Sequence, residues 1–115
     1  MVAITTDELE SLHWVAVALA LITGVIHLVI AIPHIPNPLG ISFLLAGLGF
    51  LGWIALFLLG WRRPLLYLLG IPYVALQIVL YVALNWPDIF GPVGVADKFV
   101  QIVLIAVLVI LYRRT

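Results

Sequence analysis

Three histidines are the side chains of this 115-residue sequence best suited to binding chemistry: His13, His27 and His34. His13 and His27 are 14 residues apart, which places both on one face of a helix. Transmembrane b-type cytochromes use comparable spacing to hold haem through axial histidines from pairs of helices. Because no histidine follows His34, a haem bound by His13 and His27 would require an oligomer or another subunit. Haem binding is therefore the alternative hypothesis, and a neutral structural role for His27 is the preferred one.

Motifs of catalysis and metal binding are missing from the sequence. It contains no cysteine, and it has no nucleotide-binding loop, nucleophile elbow or His-Glu-x-x-His motif. A zinc ion takes about four ligands, and His27, His34, Asp88 and Asp97 would come from different elements with nothing to fix their geometry. We therefore expect a protein that is not an enzyme, with no catalytic residue, no metal and no cofactor.

Four apolar stretches must position these side chains. They cover about 13–32, 41–60, 65–85 and 95–112, each close to the roughly 20 residues with which an α-helix crosses a bilayer. Hydrophobic residues make up 66% of the sequence and charged residues 9%, with a mean hydropathy of +1.34. The net charge of zero indicates no nucleic-acid partner. The sequence predicts one all-α domain, 1–115, folded as an antiparallel up-down-up-down four-helix transmembrane bundle.

The placement of basic residues predicts the orientation in the cell membrane. Lys98 is the basic residue expected on the outer side. Those expected on the opposite side are Arg62, Arg63, Arg113 and Arg114. The positive-inside rule then places both termini in the cytoplasm. The first 12 residues lack the basic region of a signal peptide, so we expect the first helix, with Thr6 as its N-cap, to be retained.

Polar side chains in three of the spans are predicted to meet inside the bundle. Counted from the span ends at 1.5 Å per residue, they lie roughly 6–12 Å below the outer surface. Polar groups that face lipid at this depth are costly, so they should turn inward and bond to one another. The predicted buried cluster consists of His27, Gln77, Tyr81 and Gln101, with Tyr73 beneath it.

Small residues at helical spacing predict close contacts between helices. Ala20 and Gly24 share one face of the first span, and Ala46 and Gly49 share one face of the second. We interpret these stripes as packing surfaces. The glycine-rich second span and Pro72 in the third leave a small-solute carrier, formed by an oligomer, as a further alternative.

Two runs of sequence carry a resemblance to a known group of proteins. The runs GISFLLAGLGFLG at 40–52 and GIPYVALQIVL at 70–80 resemble an uncharacterised family of four-helix membrane proteins from halophilic archaea. The resemblance implies a four-helix membrane fold and no established activity. The preferred function is therefore that of a small non-enzymatic membrane protein that acts through helix–helix or lipid contacts, for example as an accessory subunit. Its expected partners are membrane lipid and other membrane subunits or further copies of itself.

Overall fold

Four long α-helices make up the described part of the protein, which is residues 10–115 of a computed structural model. They are α1 (Ser11–Ala31), α2 (Pro38–Leu58), α3 (Arg63–Asn85) and α4 (Pro92–Arg113), with a 3₁₀ turn at Ile32–His34 after α1. No strand occurs among these residues. Each of the four helices is long and apolar enough to cross a membrane. The predicted all-α class with four helices of membrane-spanning length is therefore confirmed.

Two helices begin three residues before their predicted starts because proline occupies their first turn. Asn37 caps α2, and its side-chain oxygen accepts a 2.9 Å hydrogen bond from the Leu39 backbone N–H. Gly91 precedes α4, whose first residue is Pro92. A proline is suited to this position because its fixed φ matches the helix and it has no N–H to leave unpaired. Because α4 starts early, every later side chain lies about one turn farther from the start of the helix than predicted.

The start of α1 is held by its own side chains. The Glu10 backbone N–H donates a 3.0 Å hydrogen bond to Nδ1 of His13, within a reciprocal capping box at Glu10. The His13 ring also stacks on Phe57 of α2, with the ring centroids 6.1 Å apart. The predicted N-cap, Thr6, lies outside the described residues.

Helix α1 occupies the middle of the packing arrangement. It packs against α2 on one side and against α4 on the other, and α4 packs in turn against α3. Helices α2 and α3 touch at few points. The fold therefore resembles an open ring in the order α2, α1, α4, α3, with a cleft between α2 and α3.

Contacts between helix termini define the two ends of this bundle. At one end, Glu10 lies 3.5 Å from Arg114, and the Arg63 guanidinium lies 5.0 Å from the Phe57 ring centre. We call this the arginine end, after Arg62, Arg63, Arg113 and Arg114. The opposite end carries the connections 32–37 and 86–91, and we call it the loop end.

Glycines set the distance between α1 and α2. A Cβ atom added to Gly47 would lie 2.7 Å from the Leu28 side chain and 2.9 Å from the Gly24 carbonyl oxygen. A Cβ added to Gly24 would lie 3.0 Å from Cβ of Phe50. The α1–α2 contact therefore uses Gly24, as expected, but pairs it with Gly47. Gly49 instead lies against the Tyr73 hydroxyl of α3.

Candidate functional site

A buried carboxylate lies at the centre of the polar groups near the loop end. Asp97 of α4 is only 4% exposed. The Thr23 hydroxyl of α1 donates a 2.6 Å hydrogen bond to Oδ1 of Asp97. Lys98 Nζ donates a 2.8 Å bond to Oδ2. In this ion pair the Asp97 side chain is 6% exposed and the Lys98 side chain is 14% exposed. Both carboxylate oxygens are therefore satisfied, as a buried charge requires.

Two glutamines extend this arrangement across the bundle. Gln101 is fully buried, and its Oε1 accepts a 2.7 Å hydrogen bond from Lys98 Nζ. Its Nε2 donates to the Thr23 hydroxyl at 3.1 Å and to Gln77 Oε1 at 2.9 Å. These contacts join α1, α4 and α3. We call the set the polar network: Thr23, Gln77, Asp97, Lys98 and Gln101.

His27 borders the polar network and is bonded within its own helix. Its Nδ1 donates a 2.7 Å hydrogen bond to the Thr23 carbonyl oxygen, and it lies 3.5 Å from the Thr23 hydroxyl. A carbonyl oxygen can only accept, so Nδ1 carries a hydrogen. The ring lies among aromatic side chains, with centroids 5.9 Å from Phe50 and 6.0 Å from Phe43.

The two tyrosines of the predicted cluster donate their hydroxyl hydrogens to main-chain oxygens. The Tyr81 hydroxyl donates a 2.7 Å bond to the Ile89 carbonyl in the α3–α4 loop. The Tyr73 hydroxyl donates a 2.7 Å bond to the Ala46 carbonyl of α2. Tyr81 still lies beside the network, because Lys98 Nζ is 5.1 Å from the centre of its ring.

Sequence reasoning missed three members of the polar network: Thr23, Asp97 and Lys98. The predicted span 95–112 puts Asp97 two residues from its outer end, but Asp97 is the sixth residue of α4, roughly 7 Å along the helix at 1.5 Å per residue. Thr23 precedes His27 by four residues, and this spacing places the two on one helical face. That spacing was the available signal for Thr23.

The histidines do not converge on a common site. His13 accepts a capping hydrogen bond at the arginine end, and His27 lies near the loop end. His34 Nδ1 bonds to the Ile30 carbonyl at 2.8 Å. Within residues 10–115, no three His, Asp or Glu side chains come close enough to hold a metal ion. The ring nitrogen that His27 leaves for a ligand is Nε2.

A cavity of about 260 Å³ opens beside the network, between α2 and α3. Its polar wall comprises His27, Ser42, Gln77, Tyr81, Asn85 and Lys98. Its apolar wall comprises Leu39, Phe43, Ala46, Leu80 and Leu84. Leu39, Leu80 and Leu84 are also exposed on the outer surface of the bundle. The cavity therefore joins a polar interior wall to the apolar exterior. We call it the α2–α3 cavity.

Side-chain hydrogen bonds connect α2 and α3 across the cleft. Besides the Tyr73 bond to Ala46, Trp53 Nε1 donates a 2.9 Å bond to the Leu66 carbonyl. A third bond joins the two helices at the arginine end, where Arg63 Nε donates to the Phe57 carbonyl at 3.0 Å. A second cavity, of about 350 Å³, lies toward the arginine end and is almost entirely apolar. Tyr73 contributes to its lining, so this side chain stands between the two cavities.

Replacing Tyr73 with phenylalanine should loosen the α2–α3 cleft. The change removes one hydroxyl hydrogen bond and leaves the ring, so we expect a loss of about 1 kcal/mol in the free energy of unfolding. Denaturant titration in detergent measures this loss. Tyr112→Phe, at an exposed tyrosine near the arginine end, is the matched control and should have little effect. Equal stability of the two variants would contradict a structural role for the Tyr73 bond.

The fold and the buried polar network define an all-helical protein with four helices of membrane-spanning length. The chain belongs to DUF7475, a family of unknown function whose sequence model matches residues 2–112. No curated protein and no solved structure matches this chain.

Proposed function

We propose that this protein is a non-enzymatic, multi-pass protein of the cell membrane that acts by binding lipid-soluble molecules or other membrane subunits. Its helices would cross the bilayer in an antiparallel up-down-up-down order, with both termini in the cytoplasm. The resemblance to membrane proteins of halophilic archaea suggests an archaeal source.

The observation that carries this proposal is the apolar character of the outer surface. Only 22–33% of the most apolar stretch of each helix is buried inside the bundle. Large side chains remain exposed around the circumference, among them Val29 (60%), Leu45 (63%), Leu76 (57%) and Phe99 (67%). Water-soluble monomers rarely expose continuous apolar surface of this kind. Lipid tails would cover it without cost.

The location of the polar side chains supports the same proposal. The polar network lies between α1, α3 and α4, whereas many large apolar side chains are exposed on the outer surface. In a bilayer, buried polar groups bonded to one another avoid the cost of contact with hydrocarbon. The contacts that define the arginine end pair the start of α1 with the ends of α2 and α4, which favours the antiparallel order.

The packing below the network favours binding over transport. Toward the arginine end, the side chains that fill the bundle are Ala20, Phe50, Val74, Leu104 and Leu108. On α1, α3 and α4 the nearest of these apolar residues is within a turn of the polar network, on its arginine-end side. A solute that entered at the loop end would therefore meet a packed apolar core.

Single-cysteine labelling tests the location and the orientation. The natural sequence has no cysteine, so each variant carries one reactive thiol. Asp88→Cys lies in a connection at the loop end, and Thr115→Cys lies at the arginine end. We expect a membrane-impermeant maleimide to label Asp88→Cys in intact cells, and Thr115→Cys only after permeabilisation. Labelling in the reverse pattern would overturn the orientation.

Extraction of the membranes at alkaline pH provides the second measurement. A protein with four transmembrane helices should stay with the membrane pellet in both cysteine variants. Release into the supernatant would contradict a membrane-spanning fold.

A further inference from the structure

The hydrogen-bond directions in the polar network leave the amide nitrogen of Gln77 unused. Lys98 can only donate, so it must face Oε1 of Gln101. The Nε2 group of Gln101 then faces Gln77 and donates a hydrogen bond to its Oε1. The lysine therefore fixes the orientation of both amides, and reversing either one would bring two donors or two acceptors together.

The result is a buried amide nitrogen without a partner. Gln77 Nε2 is shielded from water and makes no hydrogen bond of good geometry within residues 10–115, although the Gln77 side chain lies beside the Tyr73 hydroxyl. An unpaired buried N–H costs roughly 1–3 kcal/mol. Because the Gln77 side chain lines the α2–α3 cavity, an acceptor atom seated in that cavity could supply the missing bond after a small side-chain adjustment.

The other polar groups of the cavity wall specify the ligand further. An ammonium has three N–H donors; Lys98 uses one for Asp97 and one for Gln101, and it lines the same cavity. The third N–H of Lys98 is therefore a second donor, beside the Gln77 amide, for an acceptor oxygen. The opposite charges of Asp97 and Lys98 cancel, so an ionised ligand would bring an unbalanced charge into the site. This charge balance favours a neutral ligand.

The shape of the cavity favours a molecule with a small polar end and an apolar remainder. Its volume of about 260 Å³ is near the lower limit of small-molecule sites, which span roughly 300–1,000 Å³. It could enclose a head group while an apolar tail passes between Leu80 and Leu84 to the outer surface. Both leucines line the cavity and are exposed.

From these observations we infer that the α2–α3 cavity binds the head of a neutral, lipid-soluble molecule through a carbonyl oxygen. Quinones belong to this ligand class. The carbonyl accepts hydrogen bonds from Gln77 and Lys98, and the tail lies against the leucines. This inference rests on the proposed membrane location, since lipid-soluble ligands reach the cleft from the bilayer.

The probe for this site is a decyl-substituted benzoquinone, with binding measured by native mass spectrometry of the detergent-solubilised protein. Gln77→Met keeps the size of the side chain but removes the amide, and it should raise the dissociation constant roughly tenfold, equivalent to about 1.4 kcal/mol. Ala46→Leu fills the cavity from the α2 side and should weaken binding at least as much. Ala83→Leu, at an exposed position of α3, is the matched control and should bind as the natural protein does.

Two comparison ligands separate the alternatives. Decylbenzene has the tail and ring without carbonyl groups, and dodecyl phosphate has a charged head. We expect both to bind at least tenfold more weakly than the quinone. Equal binding of decylbenzene, tighter binding of the phosphate, or unchanged quinone binding by Ala46→Leu would each overturn the inference. The labelling experiment uses no ligand, so it tests the membrane location separately.

Discussion

Replacing Asp97 with leucine should lower the free energy of unfolding by about 3 kcal/mol, the largest effect we expect from a single side chain here. The change leaves the partly buried ammonium of Lys98 without its counter-charge. It also removes the acceptor for the Thr23 hydroxyl at 2.6 Å. Denaturant titration of the solubilised protein, followed by circular dichroism, measures the loss.

A double-variant cycle identifies the cause of this loss. Removing both charges with Asp97→Leu and Lys98→Leu avoids an unpaired buried charge, and such replacements are far better tolerated than breaking the pair. We expect the double variant to regain at least about 1 kcal/mol relative to Asp97→Leu alone. Asp88→Asn, at an exposed carboxylate, is the control. A double variant less stable than Asp97→Leu would show that packing, and not charge, dominates at this site.

Composition and proline positions were sufficient to predict the four helices. Twenty-residue apolar stretches have few alternatives to helix, and the prolines of the connections limited where helices could run. The boundaries of α2 and α4 were predicted late because Pro38 and Pro92 read equally well as loop residues or as first helical residues. For α4 this ambiguity concealed the depth of Asp97.

Depth along the helices predicts some contacts of the polar network and not others. A count of residues from the span ends predicts similar depths for His27, Gln77 and Gln101. In the structure the two glutamines are bonded directly to each other. The hydrogen-bond partner of Tyr81 could not be predicted from such a count. Its partner is the Ile89 carbonyl, which is available only because of the conformation of the α3–α4 loop.

It was harder to predict which side of α2 contacts α1 and which contacts α3 than to predict the helix itself. Gly47 and Gly49 differ by two residues, which places them roughly 200° apart around the helix. A helix that is apolar on all sides gives no hydrophobic stripe to show which glycine meets α1. For the same reason the cleft between α2 and α3 had no sequence signal, since outward-facing and helix-facing surfaces are equally apolar.

The polar network and the glycines hold different parts of the bundle. Hydrogen bonds of the network connect α1, α3 and α4, and none of them involves α2. Helix α2 is attached to α1 mainly by close packing at Gly47. It is attached to α3 by the bonds of Tyr73, Trp53 and Arg63. The size of the α2–α3 cavity therefore depends on the position that Gly47 allows α2 to adopt.

Replacing Gly47 with alanine should accordingly destabilise the protein by about 2 kcal/mol, in the range typical of overpacked sites. The added methyl group would lie 2.9 Å from the Gly24 carbonyl oxygen as well as 2.7 Å from Leu28. Leu28 can change rotamer, but the carbonyl belongs to the helix backbone and moves only if α1 and α2 separate. Thermal unfolding in detergent should show the loss as a lower midpoint.

Gly52→Ala on the same helix is the matched control. Nothing lies within 4 Å of a Cβ at Gly52, and alanine favours helix by up to about 1 kcal/mol over glycine. We therefore expect Gly52→Ala to be neutral or slightly stabilising, and Gly24→Ala, with its nearest contact at 3.0 Å, to fall between the two. If Gly47→Ala and Gly52→Ala unfold at the same temperature, then the glycine contact does not determine how closely α1 and α2 approach. The position of α2 would in that case depend on its bonds to α3, and Tyr73→Phe should become the more damaging change.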